Sequence, residues 1–177
     1  MASLLVVTGP PGAGKSTISS ILVDRAEPSV LVAGDAFFGF LARGAIQPWL
    51  PESNEQNETV TRAAASAAGR FACEGFATVY DGIVGPWFLS TFASAAGVDE
   101  LSYVILLPDV ERCVARVATR EGHGFADVPA TRKMHADFAG AHIDRRHVVC
   151  DPPGRPEDVA DLIDASLRDG SLTHRCD

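Results

Sequence analysis

Lysine is almost missing from this chain. Lys15 and Lys133 are the whole complement, against thirteen arginines, so one of the two ammonium groups falls in a glycine-rich stretch near the amino terminus. Positive charge is short as well: 15 Lys and Arg face 23 Asp and Glu, for a formal net charge of -8. A field of that sign repels polynucleotide backbones, and no basic run supplies a local exception, so a nucleic-acid partner is not expected. Cysteine is sparse too: Cys73, Cys113, Cys150 and Cys176 show neither C-x-x-C pairing nor histidines at metal-site offsets. That pattern excludes a zinc framework and fits buried free thiols in a reducing cytosol. The apolar start, residues 4–7, is too short for a signal-peptide core and has no basic segment before it. A cytoplasmic chain without a membrane anchor is therefore expected. Repeats, low-complexity tracts and linkers are also absent, and 177 residues with 46% hydrophobic content suit one domain spanning 1–177.

Glycine, by contrast, is concentrated where it matters. Gly9-Pro10-Pro11-Gly12-Ala13-Gly14-Lys15-Ser16-Thr17 matches the Walker A pattern G-x4-G-K-[ST], directly behind an apolar run and ahead of a helix-like segment. Glycines let the backbone curl so that successive N–H groups face phosphate oxygens, and the helix that follows adds its positive end. In that reading Lys15 reaches the β and γ phosphates and the Ser16 hydroxyl becomes a Mg2+ ligand. Gly9, Pro11, Gly12, Ala13, Gly14, Lys15, Ser16 and Thr17 are thus the candidate nucleoside triphosphate site.

Apolar runs of the kind buried on both faces recur at 3–8, 29–34, 76–81, 101–107 and 147–150. Helix-like patterns fill the intervals at 15–27, 36–43, 54–74, 87–96, 110–121, 131–139 and 157–169. Alternation of this kind calls for a doubly wound α/β sheet of five parallel strands. Ser53 with Gln56 forms a candidate capping box, and Pro156 suits the first turn of the last helix. Two segments interrupt the pattern: 44–53, with Pro48, Trp49 and Pro51, and 121–130, with Gly122, Gly124 and Pro129. The first is an acceptor-side candidate within 36–75; the second is a candidate lid at 121–131.

A triphosphate site leaves open whether the phosphoryl group goes to water or to a substrate. Asp35 follows the second strand, where a carboxylate faces the ligand crevice and is able to take the proton of an attacking hydroxyl; it also suits a helix N-cap. Asp81 closes the third strand as a Walker B acid does, beside the metal, or else starts a glycine turn. Arg112, Arg116 and Arg120 recur at helical spacing, either as a solvated stripe or as cations delivered to the phosphates by a closing lid. Trp49 and Trp87 lie on acceptor-side segments and suggest a ligand with a flat or apolar part, with core packing as the alternative. Arg43 and Arg62 suit an acidic or hydroxylated acceptor, or a helix surface. His135 is a candidate toward the acceptor and His123 toward the phosphates; each also fits a bystander.

Taken in order, these residues resemble the P-loop small-molecule kinases of the gluconate and shikimate kinase type, with chloramphenicol phosphotransferase as a relative. Beyond the phosphate loop, Arg116-Val117-Ala118-Thr119-Arg120-Glu121-Gly122-His123 resembles the R-x-x-x-R-x-G-H stretch of gluconate kinases. The resemblance implies a three-layer P-loop NTPase fold, with a parallel sheet in the order 2-3-1-4-5, helices on both faces and a short lid. It also implies ATP as the nucleotide, Arg116 against the adenine, Arg120 on the phosphates and Asp35 as the base. Gly154 and Arg155 occupy the place where such kinases touch the adenine through backbone. Asp81-Gly82 is similar to the D-G-F-P-R turn of adenylate kinase, but Ile83-Val84-Gly85-Pro86-Trp87 brings no arginine there, and the shikimate kinase triple-glycine turn is absent. The resulting expectation is a small-molecule kinase with Lys15, Asp35 and Arg120 as catalytic groups and Ser16 and Asp81 as metal ligands. Substrate contacts are expected from Asp35, Phe38, Arg43, Trp49, Arg62, Asp81, Trp87 and His135. Tunicamycin-resistance ATP-binding proteins are similar in loop and size, so a nucleotide-dependent binding module is the second reading; a nucleotide kinase is the third.

Overall fold

The computed structural model describes residues 4–119, 127–150 and 154–176. Strand β1 (Leu4–Thr8) is buried along its whole length, which explains its unbroken apolar sequence. Its side chains alternate between two cores. Leu4 and Val6 join Ala64, Ala68, Phe92 and Tyr103 on one face, while Leu5 and Val7 join Ile18, Leu22, Val159 and Ile163 on the other. The period-2 geometry of one strand therefore welds two helical layers together.

In chain order, β1 is followed by α1 (Lys15–Val23), β2 (Ser29–Ala33), α2 (Gly34–Phe38), α3 (Asn54–Cys73), β3 (Ala77–Asp81) and α4 (Pro86–Ala96). Then come β4 (Glu100–Leu107), α5 (Val110–Ala118), α6 (Val128–Gly140), β5 (Val148–Cys150), α7 (Pro156–Arg168) and β6 (Thr173–Arg175). The parallel strands stand in the order β2-β3-β1-β4-β5, as the resemblance implies. Their register sets the position of the site. Asp81 pairs with Val7 of β1 and with Ala33 of β2, so three carboxyl ends finish level with one another.

β6 has no counterpart in the strand pattern of the sequence. Short β5 pairs only with Ile105–Leu107, and β6 covers the opposite half of β4 in antiparallel fashion, with Glu100 against Arg175 and Ser102 against Thr173. The tripeptide Thr173-His174-Arg175 is polar, so hydropathy carries no strand signal there. No helix among the described residues is long and apolar enough to cross a membrane.

Three local expectations change. The Ser53 hydroxyl donates to Pro48 O and Leu50 O, at 2.9 and 2.7 Å, and Gln56 brackets the Ile46 peptide, so the expected capping box gives way to a brace for the 46–50 segment. Pro156 does open α7, where Asp158 accepts the Arg155 N–H at 3.0 Å. Of the cysteines, all free thiols, only Cys113 is buried; Cys73 and Cys150 are exposed and Cys176 is half-buried. A short apolar neighbourhood in sequence does not fix which side of a helix or strand faces inward.

Helix α3 packs on α4 through small residues, Ala65, Ala68, Gly69 and Ala72, which are all buried. A Cβ at Gly69 would sit 1.8 Å from the Ala96 carbonyl oxygen, so the two helix backbones touch. Gly69→Ala is expected to force them apart and cost on the order of 1–3 kcal/mol, read as a lower urea midpoint at unchanged slope.

His147, 2% exposed, donates from Nδ1 to the Tyr103 carbonyl at 2.9 Å. Burial first, then Arg146 and His174, lowers its pKa below the ordinary imidazole value, against the opposing effects of the Tyr103 hydrogen bond and Asp144. The unfolded chain therefore binds the proton more readily. This contribution to stability is whole above the unfolded imidazole pKa and is lost as pH falls through the lowered value. His147→Asn keeps a donor without the titration. Its melting temperature should fall less steeply than wild type from about pH 7 to about pH 5, by a few degrees.

Candidate active site

The loop from β1 to α1 is shaped by glycines at positive φ: Gly9 at 142°, Gly12 at 78° and Gly14 at 99°. Two of them are also constrained from outside. A Cβ on Gly9 would lie 2.2 Å from Leu106 O, and one on Gly12 would lie 2.3 Å from Cys113 O. The loop is thus seated directly on the end of β4 and the flank of α5. Within it Ala13 N–H donates to Pro10 O at 3.2 Å, and the Lys15 ammonium donates to the same carbonyl at 3.2 Å. Ser16 and Thr17 are exposed in the first turn of α1, which holds no acidic residue to neutralise its positive end.

From α5 the Arg116 guanidinium donates to Gly12 O at 3.2 Å and Ala13 O at 3.4 Å, so it is not part of a purely solvated stripe. Buried Cys113 has its thiol pKa pushed up by desolvation, against the lowering effect of Arg116 and Lys15 nearby. The pocket above the loop has a volume of about 450 Å³. Gly12, Ala13, Gly14, Lys15, Ser16 and Thr17 line it, together with Arg116, Gly154 and Arg155. Gly9 and Pro11 belong to the same loop without lining the pocket. Arg112, Thr119, Pro156 and Val159 also line it. Arg112 shares helical spacing with Arg116; Thr119 caps the end of α5, and Pro156 and Val159 belong to α7, so the pocket is lined from both helices. Arg155 pairs with Asp158 at 3.3 Å, and its amide and guanidinium hold that carboxyl below the usual range.

The acid side lies at the same sheet edge. Asp81 is half-buried at the end of β3, and Asp35 is exposed in the first turn of α2. The helix begins one residue before Asp35, with Ala33 at the N-cap position, so Asp35 does not cap it. Between the two acids stands a residue that the sequence reading passed over. The Tyr80 hydroxyl would be 2.3 Å from a Cβ at Gly34 and 2.7 Å from one at Gly82, so both glycines make room for it. Tyr80 is 4% exposed, and burial first, then Asp35 and Asp81, raises its pKa well above the ordinary phenol value. It is a neutral hydroxyl set between two carboxylates. The β3–α4 connection behind it is pinned by Val84 N–H donating to Thr8 Oγ1 at 2.9 Å and by the Tyr103 hydroxyl donating to Val84 O at 2.7 Å.

The outer acceptor-side candidates are more dispersed. Phe38 and Trp49 are half-buried and Arg43 is exposed. Arg62 is held by Glu58 one turn away at 2.7 Å. Trp87 is 44% exposed and lies against Phe138 with ring centres 5.1 Å apart, bordering a shallow depression that includes Asp137 and His142. His135 donates from Nε2 to Pro108 O at 2.8 Å, which anchors α6 to the β4–α5 turn. Arg120, His123 and residues 121–126 of the expected lid lie outside the described residues. No cluster of three or more His, Cys, Asp or Glu side chains arranged for a metal exists among the described residues. A hydroxyl from Ser16 and a carboxylate from Asp81, both hard oxygen donors, fit a magnesium ion that keeps several waters.

A parallel 2-3-1-4-5 sheet with a glycine-rich loop leading from β1 into α1 defines a P-loop NTPase-type fold. The chain belongs to the AAA domain family, whose model matches residues 4–143. Solved structures share the fold. A sugar kinase from Janibacter sp., an unliganded structure, is 19% identical with a TM-score of 0.74, over 98% of this chain and 100% of that one. The Deinococcus radiodurans tunicamycin resistance protein is 14% identical with a TM-score of 0.71, over 94% and 96%. A gluconokinase from Sinorhizobium meliloti is 16% identical with a TM-score of 0.64, over 96% and 94%. No curated protein matches the sequence significantly.

Gly12→Ala meets both a left-handed φ and the Cys113 carbonyl. The expected cost is about 1–3 kcal/mol, with faster amide exchange at Ala13, whose N–H donates to Pro10 O, as the local signature. Unchanged melting and exchange would show that the loop does not depend on this contact.

Proposed function

We propose that the protein is an ATP- and magnesium-dependent kinase that phosphorylates a hydroxyl group of a small molecule. The observation that carries this reading is the level finish of β1, β3 and β2, which sets the phosphate loop, Asp81 and Asp35 along one edge. The fold shared with a sugar kinase and a gluconokinase supports it. In this reading the triphosphate lies on the loop amides, and the nucleoside occupies the extension toward Thr119, Gly154 and Arg155. Ser16 and Asp81 hold the magnesium ion, which when bound offsets phosphate charge.

Transfer then needs an acceptor oxygen in line with the γ-phosphorus. Asp35 accepts the hydroxyl proton as the new oxygen–phosphorus bond forms and the bond to the β-phosphate oxygen breaks, releasing ADP. The Lys15 ammonium and Arg120 stabilise the charge that develops on the transferring group. Phe38, Arg43, Trp49, Arg62, Trp87 and His135 border the acceptor side, with Phe38, Trp49 and Trp87 offering apolar surface to the acceptor.

Lys15→Ala should abolish the calorimetric heat of Mg·ATP binding. Asp35→Asn should leave that heat intact while phosphoryl transfer falls at least about a hundredfold. Acceptors are found by incubating hydroxylated metabolites, nucleosides and antibiotics with Mg·ATP and looking for a mass gain of one phosphoryl group. ATP consumption without any such gain would point instead to a nucleotide-dependent binding module.

A further inference from the structure

We propose that Arg116 is a positioning residue of the phosphate loop, one that fixes the loop's peptide planes through their carbonyls before any ligand arrives. The loop needs such a brace. Gly12 and Gly14 flank Ala13, both at positive φ, and glycine crosses between backbone regions at little cost. The peptide planes on either side of Ala13 are therefore able to flip unless their groups are held. Each plane is rigid, with its N–H opposite its carbonyl. Holding Gly12 O fixes the Ala13 N–H, and holding Ala13 O fixes the Gly14 N–H.

Arg116 Nη1 reaches both carbonyls, at 3.2 and 3.4 Å, and stands 3.4 Å from where a Cβ on Gly14 would be. The Ala13 N–H is aimed at Pro10 O in the turn, and the Gly14 N–H points away from the guanidinium. Arg116 is attached to the element that already presses on the loop, since Cys113 O sits against Gly12 one helical turn earlier. Steric contact at Gly12 and two charge-assisted hydrogen bonds thus come from the same helix, and α5 holds the loop as a unit. The role differs from a contact with the nucleotide base: it acts on any polyphosphate, because it acts on the amides.

The test starts from ligand-free protein. In Arg116→Gln the Ala13 amide, which donates to Pro10 O, should exchange about tenfold faster, while those of β1 keep their wild-type rates. Arg116→Lys, which keeps the positive charge on a slightly shorter side chain, should restore part of the protection and serves if the Gln variant folds poorly. The ligand arm rests on the phosphate-binding reading above. Calorimetry with Mg·ATP and with magnesium tripolyphosphate, which has no base, should show both weakened by the same factor, about tenfold. Unchanged exchange at Ala13 would overturn the proposal. So would loss of ATP affinity with tripolyphosphate binding intact, which would place Arg116 on the base. Failure of wild type to bind either ligand would overturn the phosphate-binding reading, and the exchange rates would still decide the loop brace.

Discussion

Everything at the site depends on backbone lying directly on backbone. The α-carbons of Gly9 and Gly12 rest on the carbonyls of Leu106 and Cys113, with no room for a side chain between them. Within the loop, Ala13 N–H and the Lys15 ammonium both donate to Pro10 O, and the glycine-rich backbone also leans on its neighbours. Its shape is imposed by the neighbouring strand and helix. This is why the position of β4 beside β1, with Thr8 level with Ile105, matters more than any single loop residue.

The same logic governs the acid edge. Asp35 and Asp81 lie far apart in the chain and come to the same end of the sheet because β2 and β3 end together. Tyr80 fills the space between them, and glycines at 34 and 82 are the condition for its hydroxyl to fit. The phenol stays neutral there, because burial and two carboxylates all oppose its ionisation. Kept uncharged, that hydroxyl adds no negative charge of its own beside the two carboxylates. Positive charge gathers around the pocket above the loop, which Lys15, Arg112 and Arg116 line.

Much of the fold was legible because its signals are local and repeated. Five apolar runs alternating with helical patterns identify a doubly wound sheet, and each run is close to an observed strand. β6 was not legible, since its residues are polar and it exists only because β5 leaves half of β4 open. The brace made by Ser53 and Gln56 reads in sequence as a cap, because both uses need the same residue types at the same spacing. Arg116 and Arg62 show the limit for charged residues: both lie on helix surfaces, yet one reaches the phosphate loop and the other an ordinary partner one turn away.

By itself the sequence determined the strand that precedes the loop, the glycines that let the loop turn, and the lysine and hydroxyls that follow it. Those features are set by residue type at fixed spacing along one stretch of chain, and local physics suffices to read them. Only the tertiary structure decided which carbonyls press on the loop, that Tyr80 stands between two acids, and that Thr119, Pro156 and Val159 face the same pocket as Lys15. Those contacts join residues separated by many tens of positions, and they are selected by strand register and helix packing, which no short window of sequence contains.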